Sequence, residues 1–167
     1  MELMTVMVII SILSVLSFQG FAYFMERARR VNCTSNLTGI YSAATSYITD
    51  NQSWPQISTA NVQDPAYAQA WIDAFSKYNI QRINWLCPSV QTLLKNPDFT
   101  QPANTRIDYL ATPFDSNITS PSKYPTQPWF IERADIHGDG NLMIFSSGQV
   151  KSLTEVLRNS EVQPLPQ

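Results

Sequence analysis

Hydrophobic and polar positions divide this chain into two regimes. Positions 3–25 read LMTVMVIISILSVLSFQGFAYFM, 23 residues with no charge between Glu2 and Glu26. In a helix rising about 1.5 Å per residue this run reaches roughly 35 Å. A bilayer core about 30 Å thick needs about 20 apolar residues, so the run is long enough to span one. Beyond residue 26 the pattern becomes one-sided. Cys33, Leu37, Ile40, Tyr41, Ala44, Tyr47 and Ile48 recur every three or four positions, while Asn32, Ser35, Asn36, Thr38 and Ser42 fall on the other side. The spacing predicts one helix continuing to about Thr49, apolar all round in its first half and amphipathic in its second. Asp50-Asn51-Gln52-Ser53 ends it, and Trp54-Pro55 leads away.

The remaining pattern is shorter in period. Ile57–Val62 reads as a loop. Asp64 then suits an N-cap and Pro65 a first helical position, with Tyr67, Ala70, Trp71, Ala74, Phe75 and Tyr78 as the buried stripe of a second helix. Trp85–Pro88 is an apolar patch, Pro88–Lys95 a short helix, and Asn96–Asn104 a loop. Arg106–Pro113 and Pro128–Ala134 read as strands, separated by an exposed loop over Asp115–Gln127 that is rich in Ser, Thr, Pro and Asn. Asn141–Ser146 and Gln149–Leu153, joined at Ser147-Gly148, read as a hairpin. The Val162–Gln167 tail, with two prolines, reads as frayed. The predicted fold is α+β: a long N-terminal helix packed on a small antiparallel sheet. Its parts are 1–25, the apolar helix; 26–50, the amphipathic extension; and 51–167, one small α+β domain, a common domain size.

Composition narrows the function classes. The chain of 167 residues carries a net charge of −2, with a pI near 5.3. Nucleic-acid binding wants clustered basic residues. The one basic cluster, Arg27, Arg29 and Arg30, directly follows the apolar run and reads as a headgroup-facing collar. Cys33 and Cys87 are the two cysteines. One lies on the helix stripe and the other in the Trp85–Pro88 patch. They are compatible with one disulfide in an oxidising compartment, or with two independent buried thiols.

The N-terminal residues Glu2-Leu3-Met4-Thr5-Val6-Met7-Val8-Ile9-Ile10-Ser11-Ile12-Leu13 resemble the class III helix signature of the type IV pilin and type II secretion pseudopilin superfamily. In that family a leader is cleaved just before a Phe, and a Glu follows within the mature chain. Here Met1 precedes Glu2, and a leader is expected to have been removed. The family's Pro about seventeen residues after the Glu is replaced by Gln19-Gly20. Gly costs about 1 kcal/mol relative to Ala within a helix, much less than Pro. A second segment, His137-Gly138-Asp139-Gly140-Asn141 through Ser147-Gly148-Gln149-Val150, is similar to the closing hairpin of many pseudopilin-like proteins, as is Cys87-Pro88-Ser89 before it. Ser147 stands where an Asp is usual and Gln149 where a His is usual.

The resemblance implies a subunit of a type IV pilus-like or secretion pseudopilus filament. Glu2 would be the assembly carboxylate, paired with the α-amine of an adjacent copy. It implies as partners a prepilin peptidase, an inner-membrane assembly platform and an assembly ATPase. The location would be the bacterial inner membrane, then a periplasmic or extracellular filament. The positive-inside rule applied to a simple anchor would instead place Arg27, Arg29, Arg30 and the domain in the cytoplasm. The rival function is a monomeric membrane-anchored binding protein.

Chemistry is sparse elsewhere. His137 is the sole histidine and sits in a Gly-rich turn, where a hydrogen-bonded structural role is expected. No nucleophile elbow, phosphate loop, dinucleotide fingerprint or zinc spacing occurs, so neither an enzyme nor a cofactor is expected. Asp135, Asp139 and Asn141 supply oxygens at spacings that leave calcium open. They lack the Glu of an EF-hand loop, and Gly-Asp-Gly is ordinary turn chemistry.

Overall fold

The computed structural model describes residues 2–95, 97–99 and 101–161, with the side chains at 2, 3, 15–20, 22, 103 and 161 outside the description. The tail read as frayed, Val162–Gln167, lies outside the described residues. The chain is α+β, with an N-terminal helix and a four-stranded antiparallel sheet in the order β1-β2-β3-β4. Helix α1 runs Glu2–Asn51. It stops where Gln52 takes a left-handed φ of 56°, two residues beyond the expected end at Thr49.

The stripe read from the spacing is the buried one. Cys33, Leu37, Ile40 and Ala44 are fully buried, and Tyr41, Tyr47 and Ile48 pack partly buried against the same core. Asn36 departs from the expected solvent side. Its amide Nδ2 donates to the Leu86 carbonyl at 3.1 Å, and its Oδ1 accepts from Asn84 Nδ2 at 3.3 Å. The segment leading to Cys87 therefore docks on α1 through a polar contact that apolar periodicity does not register.

Helix α2, Pro65–Phe75, begins as its cap residues dictate. Asp64 is extended and its carboxylate accepts from Ala66 N at 2.8 Å, satisfying one of the free N–H groups of the first turn. Trp71 and Phe75 on its inner face meet Trp54, Trp85 and Phe130 in a cluster of tilted and edge-on ring pairs. Helix α3, Pro88–Leu93, opens at Cys87.

Strands β1, Tyr109–Ala111, and β2, Pro128–Glu132, pair through Tyr109↔Glu132 and Ala111↔Phe130. Strands β3, Leu142–Phe145, and β4, Val150–Ser152, form the expected hairpin. Gly148 closes it at φ +74° with its N–H donating to Phe145 O at 2.9 Å. Tyr41 of α1 fixes that turn. Its hydroxyl donates to Ser146 O at 2.8 Å, and a Cβ at Gly148 would lie 3.1 Å from its ring.

Two expectations are corrected. The polar loop over 115–127 contains a helical turn, α4, Ser120–Lys123, whose Ser120 and Pro121 are buried. The indole Nε1 of Trp129 donates to the Pro121 carbonyl at 2.9 Å and pulls that turn into the core. Leu153 does not extend β4; it opens helix α5, Leu153–Glu161. Among the described residues no helix is long and apolar enough to cross a membrane. The run at 3–25 includes residues 3, 15–20 and 22, whose side chains lie outside the description.

Candidate functional site

Four chain segments bring two thiols, a carboxylate and an imidazole together beneath α1. Cys33 comes from the buried stripe of α1 and Cys87 from the residue before α3. Glu132 ends β2 and His137 lies in the β2–β3 loop. One ligand atom from each lies within 4.8 Å of all the others.

Each position has a local cause. The stripe of α1 aims Cys33 inward. Pro88 supplies the first turn of α3, and Cys87 N donates to the Asp108 carboxylate at 2.8 Å. Asp108 is itself buried and paired with Arg106 at 3.3 Å. Burial pushes its carboxyl above the usual range, against the opposing pull of Arg106 and the Cys87 N–H. Glu132 stands two residues beyond Phe130 on β2. Strand alternation therefore puts its carboxylate on the core face, where it is 1% exposed.

The two sulfurs lie 2.7 Å apart, and both cysteines are buried. The contact with Cys33, and then burial, push the Cys87 thiol far up. Burial pushes the Glu132 carboxyl up to about 8, helped by the adjacent Cys87. Its Oε2 accepts from Leu142 N at 3.4 Å. Its Oε1 lies 3.3 Å from Nε2 of His137 and beside the Cys87 thiol.

The His137 side chain is 1% exposed, so the expected turn histidine is a core group. Its Nδ1 lies 3.1 Å from Oε1 of Glu26, which also accepts from Ser89 Oγ at 3.1 Å. An ionised carboxylate can only accept, so Nδ1 carries the ring proton and Nε2 faces Glu132 and Cys87, the latter at 3.8 Å. Burial opposes a charge on the ring, but Glu132, Cys87 and Glu26 outweigh it and raise its pKa. Burial likewise opposes charge on Glu26, and the bonds from His137, Ser89 and Arg29 lower its pKa overall. A cleft of about 350 Å³ lined by Tyr23, Glu26, Arg30, His137 and Asp139 opens on this side.

Compared with family models, with curated proteins and with solved structures, the chain matches nothing.

The other residues singled out from the sequence fall elsewhere. The Glu2 side chain lies outside the described residues. Asp135 Oδ1 accepts from Gly138 N at 3.1 Å as a turn-former, Asp139 pairs with Arg30, and Asn141 Nδ2 donates to Glu132 O at 2.7 Å. These three residues thus brace the loop that carries His137. The sequence reading missed Glu132. Its signal was present in the alternation of PWFIE, which sets a carboxylate on the same face as Phe130.

The order Cys87, His137, Glu26 has the composition of a thiol, a base and an orienting carboxylate. A nucleophile needs access and thiolate character. Cys87 is fully buried, which gives a substrate no direct access to its sulfur. The cluster's donors suit metal ligation.

Proposed function

We propose that this chain is a structural subunit of a helical filament of the type IV pilus or type II secretion pseudopilus kind. It is held in the bacterial inner membrane by residues 3–25 and then assembled by burying that helix among neighbouring copies. The observation that carries the reading is an apolar surface that the other described residues leave open. Met4, Val6, Met7, Val8, Ile9, Ile10 and Ile12 are each at least 51% exposed. They point in all directions around α1, so no single domain face could cover them. A contiguous apolar surface of this kind requires burial outside the chain.

The polar side chains there support the same environment. Ser11 Oγ donates to Met7 O and Ser14 Oγ to Ile10 O, both at 2.8 Å, which spends their hydroxyl donors within the helix. Lipid before assembly and identical helices after it are the two environments that the resemblance implies. The peptidase, assembly platform and ATPase follow from the same resemblance. In this reading the 51–167 domain is a non-catalytic coat.

Electron microscopy of the source cells, with antibody to the 51–167 domain, tests the reading. Labelled filaments are expected at the surface or in the periplasm. Label confined to membrane-bound monomers would favour an anchored binding protein and overturn it.

A further inference from the structure

We propose that Cys33, Cys87, Glu132 and His137 form a closed, four-coordinate structural centre for a divalent ion of the zinc type. The ligands would be the two Sγ atoms, a Glu132 carboxylate oxygen and Nε2 of His137. Two thiolates, an imidazole and one carboxylate are the donors that select tetrahedral zinc over the oxygen-seeking calcium and magnesium.

Three observations converge. First, the four donors come from four separate segments and meet within 4.8 Å. Second, Glu132 is 1% exposed, and its Oε1 faces the other donors, 3.3 Å from Nε2 of His137. A cation would neutralise a carboxylate buried there. Third, Glu26 holds His137 by Nδ1 and leaves Nε2 facing the sulfur and carboxylate. A carboxylate bonded to the far nitrogen is how a metal-ligating histidine is oriented. A Cys33–Cys87 disulfide would account for two of the four residues and leave the buried carboxylate unexplained.

Loading requires a small movement. With Zn–S about 2.3 Å and tetrahedral angles, two ligating sulfurs stand about 3.8 Å apart. The thiols now at 2.7 Å must therefore separate by about 1 Å. The ion enters as a dication and stays one. The two thiol protons, and the Glu132 proton where present, leave to solvent, and no electron is transferred. With all four positions filled by protein, no site remains for substrate, so the role is structural. One ion would join α1, the start of α3, the end of β2 and the β2–β3 loop. It would thereby clamp the domain to the helix that carries it.

The test uses the full chain in detergent, reduced and stripped with a chelator, then titrated with Co²⁺ followed by Zn²⁺. One Co²⁺ per chain is expected, with the visible bands of tetrahedral cobalt and a thiolate-to-cobalt charge-transfer band, both abolished by Zn²⁺. Zn²⁺ should raise the thermal midpoint, and Ca²⁺ or Mg²⁺ should not. Replacing both cysteines could unfold the chain, so Glu26→Gln is the informative variant. It keeps every ligand and should weaken Zn²⁺ binding by about 10–100-fold, with the cobalt spectrum retained. A reduced chain, folded by circular dichroism, that gives no cobalt–thiolate band would overturn the proposal. So would metal-free chain from its source cells carrying an intact Cys33–Cys87 disulfide by non-reducing mass spectrometry.

Discussion

Nδ1 of His137 lies 3.1 Å from Oε1 of Glu26, a partner 111 residues earlier in the chain. Glu26 is the first charged residue after the apolar run of α1. The imidazole it holds is one corner of the buried cluster. The stretch of α1 just after the apolar run is therefore also the edge of the candidate metal centre, and Arg30 paired with Asp139 reinforces the same loop.

This junction gives the reduced, metal-free chain a definite pH dependence. Glu132 sits at about 8 against an ordinary value of 4.5, and His137 is raised above 6.5. Both bind protons more tightly folded than unfolded, so the stability they contribute is complete at low pH and is lost as pH rises through their folded values. Glu26 is lowered, and its contribution, already present above pH 4.5, does not change in that range. Between about pH 5 and 8 the metal-free chain should lose stability as pH rises. Urea midpoints across that range check it, and a midpoint that rises steadily with pH would contradict the assignment.

Phe130 is fully buried on β2 and packs against Trp54, Trp71, Phe75 and Trp85. Phe130→Ala should cost about 3–5 kcal/mol, read as a lower midpoint in urea at unchanged slope. A loss below 1 kcal/mol would mean that this cluster is not the centre of the core.

Gly138 and Gly140 both have φ near +80°, but only Gly140 is crowded. A Cβ there would sit 2.7 Å from Leu153 Cβ, whereas at Gly138 nothing lies within 4 Å. Gly138→Ala should cost about 1–2 kcal/mol for the left-handed backbone alone. Gly140→Ala should cost more, because α5 must also move. Equal losses in thermal unfolding would show that the approach of α5 is not tight.

The proposed role of Glu2 in assembly follows from the resemblance and from physics: a carboxylate entering an apolar filament core must be paired or neutralised. Glu2→Ala should still insert into membranes but give few filaments. Quantitative immunoblots of sheared filaments against membrane fractions measure this, and normal filament yield would sink the pairing.

What the sequence revealed depended on range. The α1 stripe from Cys33 to Ile48, the Asp64–Pro65 helix start and the Ser147-Gly148 hairpin are local patterns, and all three are seen. Helix α5 escaped because Leu153, Val156 and Leu157 give too short a stripe, and Leu153 and Leu157 are exposed. The buried turn at Ser120–Lys123 looked like a polar loop because its anchor is a single bond from Trp129. The cluster escaped for another reason. Zinc signals in sequence are close pairs such as C-x2-C, whereas the two cysteines here are 54 residues apart and the one short spacing joins Glu132 to His137, a carboxylate to an imidazole. Only the fold adds Glu132 and His137 to the two cysteines.

In the proposed filament, residues 3–25 are the polymer's core and residues 51–167 its coat. Electron microscopy of the full chain beside a chain of residues 26–167, under matched assembly conditions, tests this most directly. The full chain should form filaments. The truncated chain should remain a folded monomer, because the stripe from Cys33 to Ile48 still packs on the domain while the surface at residues 3–25 is gone. Filaments built from residues 26–167 alone would contradict the claim.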